Sequence, residues 1–224
     1  LGDTILKVEG LTKPGVFENI NFELRKGEIL GVSGLVGAGR TEMAMGIFGA
    51  LPITGGRIYL NGKEIKIENP GDAIKHKIAY VPEDRKVLGL DLNSRICNNI
   101  SLTNMDKIAP KFFLNRKAER EIADEMVEKL KIKTPSIFQE AGNLSGGNQQ
   151  KIVLAKWLSR DLDVLILDEP TRGVDVGAKE EIHKLISKLA GEGLAIILIS
   201  SEMTEVLGMS DRILVMHEGK QKVI

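Results

Sequence analysis

Few residues of this chain are aromatic: six Phe, two Tyr and one Trp among 224, or 4%. That scarcity argues against a surface that stacks single-stranded bases. Net charge is scarce too. With 31 basic and 31 acidic residues the formal balance is +0, so no global field recruits a polyanion, and nucleic acid is not expected as a partner. A single cysteine, Cys97, excludes an internal disulfide and fits a reducing compartment. No His or Cys cluster surrounds it in Ser94-Arg95-Ile96-Cys97-Asn98, so it reads as a structural thiol. His76 and His217 show no ligand spacing and read as surface or structural residues; His183 is expected on the exposed side of its helix. No run of 18 apolar residues and no signal-peptide pattern occurs, so neither a membrane span nor export of the chain by itself is expected. The chain begins at Leu1 rather than Met and stops at Ile224 after a strand-like run. Both ends therefore read as cuts in a longer protein. The length suits one large α/β domain with room for two lobes.

What is present falls into three chemically distinctive stretches. The first is Gly34-Leu35-Val36-Gly37-Ala38-Gly39-Arg40-Thr41, between a buried apolar strand (27–33) and a helix ending near Phe48. Strand, glycine loop and helix are the context a phosphate loop requires. Backbone N–H groups freed by glycines wrap phosphates, and the Thr41 hydroxyl suits Mg²⁺. Arg40 stands where such loops carry Lys. It keeps the charge on a wider, planar donor. The second is Leu144-Ser145-Gly146-Gly147-Asn148-Gln149-Gln150-Lys151. Ser145 can cap a helix over 148–159, two glycines admit close backbone approach, and a helix start suits an anion. The third is an apolar strand, 164–167, ending in Asp168-Glu169-Pro170. Asp168 is placed to orient a Mg²⁺ shell and Glu169 to act as general base on an attacking water.

Around these, alternation over 4–9 and 16–24 predicts two antiparallel strands joined by the turn Thr12-Lys13-Pro14-Gly15, with Phe17 in the core. Asn61-Gly62 closes a further hairpin behind a strand at 57–60. Asn69-Pro70-Gly71 opens a short helix, and a buried strand at 77–81 runs into Pro82-Glu83-Asp84-Arg85-Lys86. Glu83 is either a metal ligand or part of a charged turn. Residues 87–158 read as mostly helical, with a polar loop near 93–104 and an amphipathic helix within 111–132, whose alternating charges at 117–121 suit a solvated face. Trp157 reads as packing. Helices near 178–190 and 206–209 and strands at 194–199 and 211–217 complete the chain.

These motifs in this order resemble the nucleotide-binding domain of ATP-binding cassette (ABC) proteins. The resemblance implies an α/β fold: a P-loop NTPase (RecA-like) core with a small antiparallel β layer (1–86 and 159–224) and an α-helical lobe (87–158) carrying the signature motif, all one domain. It implies that Ser33, Gly34, Gly37, Ala38, Gly39, Arg40, Thr41 and Glu42 hold ATP, and that Thr41, Glu83 and Asp168 hold Mg²⁺. Glu169 is then the base, and Ser201 falls where the family places a switch His. Ser145, Gly146 and Gly147 are the signature, and Asp175 is the D-loop Asp facing a second nucleotide domain. No aromatic stands in the turn at 12–15, where the family commonly stacks adenine, so the phosphates are expected to provide most of the affinity.

Arg-Thr closing the loop, Asn-Gln-Gln in the octet and Ser200-Ser201-Glu202 in place of a His are together similar to the C-terminal ATP-binding domain of monosaccharide importers of the ribose, galactose and xylose class. That likeness implies one half of a tandem pair at the cytoplasmic face of the cell membrane. A second nucleotide-binding domain, permease subunits and, indirectly, a periplasmic or extracellular sugar-binding protein are its expected partners. It implies docking of the permease around 83–90, with Arg85 and Lys86 as charges to reverse. It also implies an active lid for the partner's nucleotide and an impaired site of its own. A regulatory ATP-binding half without hydrolysis and a soluble, non-transport ABC ATPase are the alternatives.

Overall fold

A ten-stranded sheet organises the computed structural model, which describes residues 1–110 and 113–223. Its strand order is β5-β4-β1-β2-β10-β9-β3-β8-β7-β6. The parallel half consists of β9 (Arg212–His217), β3 (Ile29–Gly34), β8 (Ala195–Ile199), β7 (Val164–Asp168) and β6 (Ile78–Val81). Every residue of β6, β7 and β8 is buried, as expected of parallel strands covered on both faces, and their Ile, Leu and Val content follows from that. The antiparallel half consists of β1 (Thr4–Lys13), β2 (Phe17–Arg25), β4 (Gly55–Leu60) and β5 (Lys63–Ile65). The Asn61-Gly62 turn, with φ +49 and +75, closes β4 on β5, as the left-handed pair of a tight hairpin turn requires. The last strand, β10 (Lys220–Val223), pairs antiparallel with β9 and meets β2 at Lys220↔Glu18. It joins the two halves into one sheet.

The chain divides into two compact units. The first comprises Leu1–Glu83, Leu162–Pro170 and Ile186–Ile224. It holds the sheet and the helices α1 (Arg40–Phe48), α2 (Pro70–Lys75) and α8 (Met203–Met209). Asn69 caps α2 by accepting from the Asp72 amide, with Pro70 at the first helical position. Phe17 is 1% exposed and belongs to the core.

The second unit comprises Asp84–Asp161 and Thr171–Leu185. It contains α3 (Ile96–Ser101), α4 (Met105–Ile108), α5 (Arg116–Lys129), α6 (Gly146–Leu158) and the first turns of α7 (Val176–Gly191). Residues 171–185 thus pack with the helical segment, in addition to the stretch expected from 87 to 158.

Three expectations are corrected here. The polar loop near 93–104 contains α3, because Ile96, Cys97 and Ile100 bury together while the polar residues find internal partners. Asn99 receives the Asp91 amide and donates to the Asp91 and Arg95 carbonyls. The charged run at 117–121 is not wholly solvated, since Glu119 is 5% exposed and binds Ser101 and Arg116. Lys111, the start of the expected amphipathic stretch, lies outside the described residues. Asn115 caps α5 through the Lys117 and Ala118 amides. Cys97 and Trp157 are buried, as packing roles require, and burial pushes the Cys97 thiol up. His183 is half-buried, not on an open face.

Candidate functional site

In the first unit, β3 delivers the glycine loop to the start of α1. Gly34 has no room for a side chain: a Cβ there would stand 2.3 Å from the Met216 carbonyl oxygen. Gly39 adopts φ +90 as the residue before α1, a conformation that glycine takes without strain. It offers no side-chain cap, so the first turn of α1 keeps its amides for an anion. Leu35 and Val36, at the crest, are 73% and 92% exposed. Ala38 is buried, and Thr41 and Glu42 are half-buried at the helix start. Ser33 is buried, and its hydroxyl turns to the Met203 sulfur at 4.0 Å.

Arg40 does not reach into the loop. It is 8% exposed, donates from Nη1 to the Ser200 carbonyl at 2.8 Å, and places Nη2 3.8 Å from Glu169 Oε1. Glu169 follows β7 at φ +49, with its amide on the Ile199 carbonyl. The Ser201 hydroxyl donates to its Oε2 at 3.1 Å. Burial pushes the Glu169 carboxyl up, while the Ser201 hydrogen bond and the Arg40 charge pull it down. Five residues that are distant in sequence or merely adjacent to motifs thus become one cluster.

Asp168 ends β7 fully buried. Tyr80, from the neighbouring β6, donates its hydroxyl to Oδ2 at 3.0 Å. Burial raises the Asp168 carboxyl; hydrogen bonds from Thr41 and Tyr80 oppose that, and the Glu169 charge adds to it. The Tyr80 phenol is itself pushed up by burial and by Asp168. Asp168 Oδ1 is buried with no hydrogen-bond partner. An orphaned carboxylate oxygen beside a Thr hydroxyl is a hard, all-oxygen donor set, which fits Mg²⁺. Glu83, half-buried just beyond β6, stands two residues past Val81, the partner of Leu167.

In the second unit, Ser145 precedes α6 but does not cap it through its side chain. Its hydroxyl instead accepts from Asn148 Nδ2 at 2.9 Å, so the expected cap is corrected. Gly147 sits tightly against the start of α7: a Cβ there would come within 2.3 Å of Ala178 Cβ. Asp175 accepts the Ala178 amide at 3.0 Å and so caps α7. A cavity of about 210 Å³ is lined by Ser145, Gly147, Asn148, Lys151, Asp175 and Ala178, among others. Lys151 is buried, and Glu181, 2.7 Å away, balances its charge.

Sequence reasoning missed Arg85. Expected as a docking charge, it is buried at 9% exposure and donates to the Arg172 and Gly173 carbonyls. Reversing it would break an internal tie before it tested any partner. Tyr80 was legible only as an apolar strand position, since nothing in its neighbours announces the bond to Asp168.

A family model described as ABC transporter matches residues 17–172. The chain is 55% identical over 98% of its length to a putative ribose/galactose/methyl galactoside import ATP-binding protein of Rhizobium etli, spanning 42% of that protein. It is 54% identical over 98% of its length to a xylose import ATP-binding protein of Thermoanaerobacter pseudethanolicus, spanning 45% of it. The chain therefore spans less than half the length of these curated relatives. At 21% identity, its fold matches the crystal structure of an ATP-binding cassette of an ABC transporter in the ADP conformation, with a TM-score of 0.83, covering 99% of this chain and 90% of that one. No helix among the described residues is long and apolar enough to cross a membrane. With that family model matching most of its length, this chain belongs to the ABC transporter family.

Proposed function

We propose that the chain is an ATP-binding domain that energises import of a monosaccharide through a membrane permease, as one half of a paired nucleotide-binding assembly. The observation that carries this reading is the similarity, over 98% of this chain, to sugar import ATP-binding proteins, joined to an intact strand-end Asp168-Glu169 pair. Its partners are a second nucleotide-binding domain, the permease subunits and, indirectly, a sugar-binding protein. Its place is the cytoplasmic face of the membrane, held peripherally. The exposed Lys86, Val87 and Leu88 suit permease docking better than buried Arg85.

Backbone amides of the loop bind and orient the triphosphate. Thr41 and Asp168, with Glu83 beside them, would hold Mg²⁺, which when bound neutralises phosphate charge. Glu169 takes the proton of the water whose oxygen bonds to the γ-phosphorus as the bridging oxygen leaves with ADP. Ser145, Gly147 and Asp175 form the face offered to the nucleotide of the partner domain.

The chain's own site is slow. Arg40 is spent on Ser200 and Glu169, and Ser201 supplies a neutral hydroxyl where a cation would help. Loss of one transition-state contact costs about two to three orders of magnitude in rate. The same Arg40–Glu169 contact favours a second reading, in which this site binds ATP for regulation only. Sugar import in proteoliposomes holding the full-length protein, its permease and its binding protein tests both. Glu169→Gln lowers import if this site contributes hydrolysis. Unchanged import identifies a regulatory site, and absence of sugar import by the unaltered complex overturns the transport reading.

A further inference from the structure

One buried cation in the second unit has no part in the chemistry above. Arg85 begins the short π-helical turn Arg85–Gly89 and is 9% exposed. Its guanidinium spends its hydrogen bonds on backbone: Nη1 donates to the Arg172 carbonyl at 2.6 Å and Nη2 to the Gly173 carbonyl at 2.9 Å. Nε is buried without a partner. Burying a cation against neutral carbonyls is costly. A neutral side chain of similar shape would serve mere packing at least as well.

Its surroundings show what the cation holds. A Cβ at Gly146, the first residue of α6, would lie 2.8 Å from Arg85 Nη2 and 3.0 Å from the Gly173 carbonyl oxygen. The guanidinium therefore packs directly against the helix start that carries the octet. The next residue, Gly147, is closed against Ala178, with Asp175 Oδ2 3.7 Å from its notional Cβ. Two neighbouring contacts thus fix the loop 172–178 against the turn 145–147, and Arg85 is the one with a forked, directional grip. Its charge also lies against the positive end of the α6 dipole. That juxtaposition is unfavourable in the free protein and is relieved by an anion at the helix start.

We propose that Arg85 is a positioning residue for ATP hydrolysis. By holding the carbonyls of residues 172 and 173, it keeps Asp175 and the Ser145-Gly146-Gly147 turn in register as one face for the γ-phosphate bound by the partner domain. This rests on the reading of that face as the lid of a shared nucleotide site. Arg85 acts through the backbone and touches neither substrate nor metal. Lys cannot replace it, because an ammonium is a point donor on a flexible stem and cannot hold two carbonyls in one plane.

The test is steady-state ATP hydrolysis by the full-length protein carrying Arg85→Lys, with Arg85→Gln as a second variant, together with KM for ATP and the thermal midpoint. A displaced reacting group of about 1 Å costs up to about 10²-fold. The expected result, read well below the thermal midpoint of every variant, is a kcat in Arg85→Lys lower by about tenfold or more, with KM unchanged. Arg85→Gln, which also loses the charge, falls further. Wild-type kcat in Arg85→Lys overturns the proposal, as does a fall in kcat that only tracks a lowered thermal midpoint. If the unaltered protein neither binds nor hydrolyses ATP, the underlying nucleotide reading fails first and takes the proposal with it.

Discussion

Glu169 shows how a single side chain is set by groups far away in sequence. Its left-handed backbone is an uncommon conformation for a non-glycine residue, and the Ser201 hydroxyl and Arg40 guanidinium hold its carboxylate. Removing the Ser201 hydroxyl leaves burial and the other charges to act, so Ser201→Ala raises the Glu169 midpoint. A ¹³C NMR titration of the carboxyl in the two proteins measures this directly, and an unchanged or lowered midpoint contradicts the hydrogen bond as a stabiliser of the charged form. The loop and the Asp-Glu pair were readable because each motif is contiguous. The turn of Arg40 onto Ser200 was not, because the acceptor lies 160 residues away and is a carbonyl with no side-chain signature. Arg85 escaped for the same reason: its acceptors are carbonyls 87 and 88 residues on.

Among the elements, the central strands were legible from their unbroken apolar runs, and the hairpin from Asn61-Gly62. α3 was not, because its Asn and Ser residues read as loop until Asn99 is seen bonded to its own turn. β3 shows a constraint invisible to periodicity. A Cβ at Gly31 would stand 2.2 Å from Ser210 Oγ and 2.9 Å from Val206 Cγ1, so the strand approaches the end of α8 closely. Gly31→Ala should therefore cost about 1–3 kcal/mol through overpacking. That corresponds to a fall in thermal midpoint of several degrees at about 2–4 °C per kcal/mol for a protein of this size. A midpoint within one degree of wild type, within error of about zero cost, would show that Ser210 and Val206 yield freely.

At the scale of the whole molecule, the second unit carries a charge that makes stability depend on pH. Lys156 is buried, with Nζ donating to the Gly89 carbonyl at 2.6 Å and lying 5.7 Å from the centre of the Trp157 ring. Burial pushes its pKa down to about 8. The unfolded chain binds this proton more tightly than the folded one, so folding is opposed below about pH 8 and the opposition fades as pH rises toward 10.5. Relative to Lys156→Met, the wild-type protein should therefore gain stability between those limits in denaturant melts. A pH-independent difference would mean that the amine is not perturbed.

In the proposed division of labour, this chain would offer a sound lid and a compromised cradle. ATP hydrolysis by the full-length protein, compared between Gly147→Ala and Thr41→Ala in this chain, tests it most directly. A Cβ at Gly147 collides with Ala178 at the proposed lid, whereas Thr41 lies beside Asp168 in the proposed cradle. The account predicts a loss of about two orders of magnitude or more for Gly147→Ala and less than about twofold for Thr41→Ala, a loss below about 0.4 kcal/mol. The reverse order, or equal losses, would contradict it.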